Sequence, residues 1–109
     1  MLEYLSENEI VNINRKLGYR PLNKALVGSV LSAWQYYDSL EDQISSVIGG
    51  IIKNHAFEDG NKRTAVIVYY NLCSIFNLKS LNEDAMFDAV IEIASSKKSI
   101  TEISKMLFR

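Results

Sequence analysis

Apolar and polar residues alternate along this chain with the period of an α-helix almost throughout. Across residues 24–37 the apolar positions lie three or four residues apart, at Leu26, Val27, Val30, Leu31 and Trp34. Across residues 41–54 the same spacing recurs at Ile44, Val47, Ile48, Ile51 and Ile52. Such spacing gives each helix one buried stripe. Since no stretch sustains the two-residue alternation of a strand, the sequence predicts an all-α fold.

Capping signals set the ends of the predicted helices. The N-terminal signals are the capping-box pairs Ser6/Glu9 and Ser99/Glu102 and the N-cap residues Asn23 and Asn82. Gly18 suits the position that follows a helix. Together they predict one domain over residues 1–109, a compact bundle of about six helices. The predicted spans are 7–17, 24–37, 41–54, 61–76, 83–96 and 100–107.

The fourth predicted helix is apolar on nearly all sides and carries no charge from Thr64 to Phe76. A helix of this kind is expected in the middle of a bundle, with its lone cysteine, Cys73, as a small core residue. Gly49 and Gly50 interrupt the third helix, where each costs about 1 kcal/mol relative to alanine. We expect the close approach of the fourth helix to compensate for that cost.

The remaining apolar residues are assigned to faces by the same spacing. In the fifth helix the expected inward residues are Met86, Phe87, Val90, Ile91 and Ala94, and in the sixth they are Ile100, Ile103, Met106 and Leu107. Three aromatic residues near the end of the second helix leave two interpretations open. Trp34, Tyr36 and Tyr37 either pack on the core or supply one or two residues to an edge where a substrate docks.

Composition excludes several classes of protein. The 109 residues are 48% apolar, and 12 basic against 13 acidic residues give a formal charge of -1. A nucleic-acid partner is not expected, because it would call for a basic excess. One cysteine excludes an intrachain disulfide and fits a reducing compartment. The longest weakly polar run is too short to span a membrane. These features predict a cytoplasmic protein with no membrane partner.

The candidate chemistry lies in one loop, His55 to Arg63, which contains the only histidine. A lone histidine is more often structural than catalytic, but this one ends a helix beside many polar groups, which favours a general base. Phe57 is expected to anchor the loop on the core. Asp59 is a hard oxygen ligand suited to Mg²⁺ held together with substrate phosphates, or alternatively a helix N-cap.

The second half of the loop has the features of an anion site. Gly60 allows a sharp turn and close approach of a ligand. Asn61, Lys62 and Arg63 begin the fourth helix, where the two cations oppose the helix dipole unless they are simply solvated. A bound polyphosphate would resolve that conflict. The residues alone therefore predict a Mg²⁺-polyphosphate site beside a general base, and phosphoryl or nucleotidyl transfer to a hydroxyl.

The same residues resemble the signature of the Fic/Doc superfamily, which reads HPFx(D/E)GNGRxxR. The matching residues are His55, Phe57, Asp59, Gly60, Asn61 and Arg63. Ala56 replaces the proline, Lys62 the second glycine and Val66 the second arginine. The Asn-Lys-Arg-Thr-Ala run is similar to the Doc (death-on-curing) branch, as are the opening residues 4–10 and the closing residues 94–107. The resemblance is weakest between Tyr19 and Gln43.

The resemblance implies specific roles. His55 would be the catalytic base, Asp59 would bind Mg²⁺, and Gly60, Asn61, Lys62 and Arg63 would bind the phosphates of ATP, the co-substrate. A Doc-like toxin would transfer the γ-phosphate to a Ser/Thr hydroxyl of elongation factor Tu and so inhibit translation. The alternatives are a Fic-type AMP transferase (AMPylase) and a non-catalytic binding module. Because the inhibitory motif [ST]-x-x-x-E-[GN] does not occur, we expect regulation by a separate antitoxin acting in trans.

Overall fold

The computed structural model describes residues 5–19, 24–54, 57 and 59–108, and every regular element within these ranges is helical. The elements in chain order are α1 (Glu7–Lys16), α2 (Lys24–Ala33), a 3₁₀ turn (Trp34–Tyr36), α3 (Leu40–Asn54), α4 (Asn61–Ile75), α5 (Glu83–Ser95) and α6 (Ile100–Leu107). The Cα radius of gyration is 12.5 Å, as in a compact domain of this size. The predicted all-α bundle of about six helices is confirmed.

The predicted caps form where their partners are local in sequence. Ser99 and Glu102 make a complete capping box, with two backbone-to-side-chain hydrogen bonds of 3.1 Å. Asn82 accepts the Ala85 N–H at 2.8 Å. The first box is only half formed, because the Glu9 carboxylate accepts the Ser6 hydroxyl at 3.3 Å instead of the Ser6 N–H. The predicted cap Asn23 lies outside the described residues.

α3 has the most neighbouring elements in the bundle, while α4, the helix that was predicted to be central, packs against α1, α3 and α5. α3 packs against α2, the 3₁₀ turn, α4, α5 and α6, and its whole predicted apolar stripe is buried. α4 buries one side, including Cys73 as predicted, but leaves Val66 and Ile67 partly exposed and Ile75 exposed. Glycine allows neighbouring helices to approach closely, and α3 contains two adjacent glycines whereas α4 contains none.

The glycines of α3 mark two close helix contacts. A Cβ at Gly49 would lie 3.0 Å from Ile103 Cδ1 on α6, and a Cβ at Gly50 would lie 3.1 Å from Val30 on α2. The predicted close approach is therefore present. The helices that make it are α6 and α2, and not α4.

The second helix ends earlier than predicted. α2 stops at Ala33, and a 3₁₀ turn follows through Tyr36. The chain then becomes extended at Tyr37, whose carbonyl accepts the Gln43 side-chain amide at 2.9 Å. Trp34 packs on the core, whereas Tyr36 is 87% exposed. Trp34 therefore follows the core interpretation, and a docking role for Tyr36 stays a prediction.

The inward face of α5 also differs from the prediction. Met86 and Val90 are buried, but the other buried positions are Ala89 and Ile93. Phe87 is 64% exposed and Ile91 is 45% exposed. The apolar stripe of this helix is wider than the face that α3, α4 and α6 cover, so part of it remains on the surface. In α6 the expected inward residues Ile103 and Leu107 are buried.

Tyr69 connects α4 to the C-terminal half of the chain. Its hydroxyl donates to the Leu107 carbonyl at 2.7 Å and accepts the Leu81 N–H at 3.0 Å. Burial raises the pKa of this phenol to about 12, and burial also raises the pKa of the nearby Cys73 thiol.

Of the helices in the described ranges, none has the length and apolar character needed to cross a membrane.

Candidate functional site

The loop between α3 and α4 is held by one of its own side chains. Phe57 is buried in the core with 1% of its surface exposed. Four residues later, Asn61 donates from Nδ2 to the Phe57 carbonyl at 3.1 Å and accepts the Phe57 N–H at Oδ1 at 3.2 Å. Both ends of the Asn61 amide are thereby used within the protein. Its contribution to an anion would come from its backbone N–H, which has no partner within a helix that it begins.

Gly60 is the N-cap of α4 and has a left-handed backbone, with φ of +73°. Its carbonyl accepts the Thr64 N–H at 2.8 Å, the first hydrogen bond of the helix. Its own N–H donates to the Asp59 carboxylate at 2.7 Å. Asp59 is therefore bonded to the cap residue and is not itself the cap that the alternative interpretation expected. The exposed carboxylate stands beside the first N–H groups of α4, which have no partner within the helix.

Gly60 is also enclosed by residues of α1 and its exit. A Cβ at position 60 would lie 2.5 and 2.8 Å from two ring carbons of Tyr19 and 3.3 Å from Asn14 Nδ2. The Asn14 carbonyl in turn accepts the Tyr19 N–H at 3.2 Å. Both the backbone conformation and the available space therefore require glycine at this position.

The predicted phosphate-binding residues line one cavity of about 430 Å³, within the size range of small-ligand sites. The lining residues are Tyr19, Ile52, Lys53, Asp59, Gly60, Asn61, Lys62, Arg63 and Ala94. Three cations and one carboxylate thus face the same space at the N-terminal end of α4. The cationic side chains and the helix dipole both favour an anion there. The cavity has the electrostatic character that a polyphosphate requires.

The donor set fits one kind of metal site. Among the described residues there is no group of three or more His, Cys, Asp or Glu side chains that could hold a metal ion. The chain therefore offers no protein-only cage in these ranges. Asp59 alone suits Mg²⁺, which commonly takes one carboxylate and completes its shell with phosphates and water. The predicted base His55 lies outside the described residues, as do Ala56 and Glu58.

Three residues at the site were not predicted. Asn14 is fully buried on the apolar stripe of α1 beside Ile10 and Val11, and a polar residue on such a stripe is a signal that the sequence does carry. Lys53, in the last turn of α3, lines the cavity and donates to the Ser96 carbonyl. The sequence carries no comparable signal for Tyr19.

A second cavity of about 610 Å³ lies next to the first. We call it the α4–α5 groove; it is lined by Leu17, Lys62, Arg63, Val66, Ile67, Phe87, Val90 and Ile91. Its walls are apolar except at the end where the two cations stand. Val66, which replaces the second arginine of the resembled signature, lines this groove and not the cavity beside Gly60.

The arrangement agrees with a comparison against known families. A model described as the Fic/DOC family matches residues 4–73, well over half of the chain, including the whole loop and most of α4. The chain belongs to the Fic/DOC family. Members of this family are transferases, which places the chain among Fic-type enzymes of AMP or phosphoryl transfer. A search of curated proteins finds no match.

Proposed function

We propose that this chain is a Doc-type toxin, a protein kinase that transfers the γ-phosphate of ATP to a Ser/Thr hydroxyl of a target protein. The observation that carries the proposal is the set of side chains facing the cavity at the start of α4. Lys62 and Arg63 stand there beside Asp59, and Lys53 adds a third cation from α3. This combination suits a polyphosphate accompanied by Mg²⁺.

The position of Val66 favours phosphoryl transfer over AMP transfer. In the resembled Fic signature, an arginine at this position belongs to the AMP-transferring form. Here the residue is apolar and lines the α4–α5 groove, while Lys62 adds a cation to the cavity itself. The cationic groups are therefore concentrated near Gly60. The phosphates that the cationic groups hold are not the one presented to the target hydroxyl. A different arrangement of these groups therefore presents a different phosphorus atom to the hydroxyl.

In the proposed reaction, the residues of the site act on the hydroxyl proton, the phosphates and the metal ion. The target hydroxyl oxygen attacks the γ-phosphorus, an oxygen–phosphorus bond forms, and the bond to the β–γ bridging oxygen breaks, releasing ADP. His55 takes the hydroxyl proton. Lys62, Arg63 and the first N–H groups of α4 hold the phosphates in place. Asp59 would hold Mg²⁺, which supplies neutralising charge to the phosphates when it is bound.

The proposed target and regulator follow from the family resemblance. The target is elongation factor Tu in the cytoplasm, whose modification would inhibit translation. The regulator is a cognate antitoxin that binds in trans. The α4–α5 groove supports this second part, because it exposes Phe87 and Ile91 beside two cations. An amphipathic segment with acidic residues at one end matches both its apolar walls and its charged rim.

The test uses Mg-ATP labelled at either the α- or the γ-phosphate, with purified elongation factor Tu as substrate. We expect label on the factor from the γ position only, and none with His55→Ala. Label from the α position would establish AMP transfer in place of phosphorylation. If neither label transfers to the factor or to any protein of a bacterial lysate, the chain is a binding module and the proposal is wrong.

A further inference from the structure

Asn14 is the only residue of α1 in the described part of the chain whose side chain bonds to the motif loop. It is fully buried. Its Nδ2 donates to the Asp59 carbonyl at 3.0 Å and to the Thr64 hydroxyl at 3.1 Å. The two acceptors lie on either side of Gly60, one in the loop and one in the first turn of α4. One amide group therefore spans the point at which the loop becomes a helix.

The backbone carbonyl of Asn14 also helps to position the residues around Gly60. Its carbonyl accepts the N–H groups of Leu17 and Tyr19, at 3.1 and 3.2 Å. These bonds close the end of α1 and fix where the chain places Tyr19. The Tyr19 ring then lies against Gly60, where no larger residue fits. The side chain and the backbone carbonyl of Asn14 together determine the position of the Asp59–Gly60 segment relative to α1.

This arrangement is not the one that stability alone would favour. Within the described part of the chain, Asn14 Oδ1 is buried and accepts no hydrogen bond. A buried polar atom without a partner costs free energy. A leucine next to Ile10 and Val11 would bury no unpaired oxygen of its own, although it would take the Asn14 donor away from the Asp59 carbonyl and the Thr64 hydroxyl. Residues that break such a local rule are concentrated at functional sites.

We infer that Asn14 is a positioning residue, which sets the affinity of the cavity for Mg-ATP by holding the Asp59 backbone and the first turn of α4 in one geometry. Asn14 itself contacts neither nucleotide nor metal; it acts through Asp59 and Thr64. The inference rests on the proposed function, because the nucleotide site is part of that proposal. The held geometry, however, can be measured without any nucleotide.

The experiment combines hydrogen–deuterium exchange with titration by Mg-ATP. Asn14→Leu removes both donated bonds, and Thr64→Val removes one of them in case the leucine variant does not fold. Ser45→Ala is the matched control, because Ser45 is also fully buried and its Oγ has no hydrogen-bond partner among the described residues, but it lies in the first half of α3. All variants are measured at temperatures that lie the same number of degrees below their thermal unfolding midpoints.

We expect the amides of residues 57 and 59–64 to exchange about tenfold faster in Asn14→Leu, with a smaller increase in Thr64→Val and no change in Ser45→Ala. We expect the Mg-ATP dissociation constant and the Mg²⁺ concentration for half-maximal binding to rise about tenfold in the leucine variant. Unchanged exchange in both variants would overturn the inference. Faster exchange with unchanged affinity would overturn it too. If the parent chain binds no Mg-ATP while the exchange difference is present, the proposed function fails and the positioning of the loop stands.

Discussion

Asn61 holds the peptide backbone of Phe57 at both of its polar groups, with hydrogen bonds of 3.1 and 3.2 Å. This contact closes a small ring between the loop and α4. Phe57 is itself fixed in the core. Asp59 and Gly60 lie between these two residues. Their position is therefore restrained by the buried Phe57 side chain on one side and by α4 on the other. A loop held in this way is organised before any ligand arrives.

Asn61→Ala should destabilise the protein by roughly 1–3 kcal/mol, because it leaves the N–H and carbonyl of Phe57 without their partners. The measurement is the urea midpoint. Asn71→Ala on the same helix is the control. Asn71 is exposed, so alanine there should leave stability unchanged or raise it by a few tenths of a kcal/mol through helix propensity. Equal effects at the two positions would contradict the two-bond role of Asn61.

Gly60→Ala should cost more than a left-handed backbone alone explains. The positive φ contributes roughly 1–2 kcal/mol, and the Tyr19 ring 2.5 Å from the new methyl group adds a clash. Gly18→Ala provides the comparison, because Gly18 has φ of +94° and no atom within 4 Å of the added Cβ.

The two contributions at Gly60 are separated by a double-mutant cycle with Tyr19→Ala. Removing the Tyr19 ring should relieve the clash and restore that part of the stability, but it should leave the cost of the left-handed backbone. Gly60→Ala in the Tyr19→Ala background should then resemble Gly18→Ala in its loss of stability. A Gly60→Ala cost that is the same in both backgrounds would show that the ring moves aside freely.

Local sequence was sufficient for the starts of several helices, but not for the end of α2. Ser99 and Glu102 lie three residues apart and form the box that their spacing predicts. Residues 59–63 share a cavity because they are consecutive around one turn. The contacts of Asn14 could not be predicted in this way, since its acceptors are 45 and 50 residues away. Only the fold brings them together.

Helical spacing also leaves the identity of a neighbour open. The glycines of α3 predicted a close helix, but the pattern does not say which helix approaches, and the neighbours proved to be α6 and α2. In α5 the apolar positions form a stripe wide enough for two different faces. Which face is buried depends on the helices beside it, and the structure leaves Phe87 and Ile91 on the surface.

Lys62→Ala and Arg63→Ala should each weaken Mg-ATP binding. A hydrogen bond between charged groups contributes about 1.5–3 kcal/mol, so the dissociation constant should rise roughly tenfold to a hundredfold. Calorimetric titration measures it. Lys97→Ala is the control, because Lys97 is an exposed cation in the turn before α6. A loss of the same size at Lys97 would point to the overall charge and not to the cavity. Raising the salt concentration should weaken binding to the parent more than to either variant.

Stability at alkaline pH should depend on Tyr69. Burial raises the pKa of its phenol from the ordinary value of 10.0 to about 12. The folded state therefore holds the proton more tightly than the unfolded state. The resulting stability is fully present below pH 10 and is lost as the pH rises through 12.

The test compares the parent with Tyr69→Phe by urea unfolding from pH 8 upward. At pH 8 the phenylalanine variant should be less stable by roughly 1–3 kcal/mol, because Leu107 and Leu81 lose a buried partner. The difference should narrow above pH 10, since only the parent can lose this proton. Tyr36→Phe, which alters an 87% exposed residue, should follow the parent at every pH. A difference that stays constant with pH would contradict the raised pKa.

The α4–α5 groove should bind a partner through Phe87. Under the proposed function, Phe87→Ser should abolish neutralisation by an antitoxin selected from genome fragments that suppress the toxicity of the parent, while toxicity itself remains. Ile75→Ser is a close control, since Ile75 on α4 is also 64% exposed but lies outside the groove. The fluorescent probe ANS gives an independent measurement, and its binding should fall with Phe87→Ser and not with Ile75→Ser. If both serine variants remain neutralised, the antitoxin binds elsewhere. In that case the exposed apolar residues of α5 do not serve this partner.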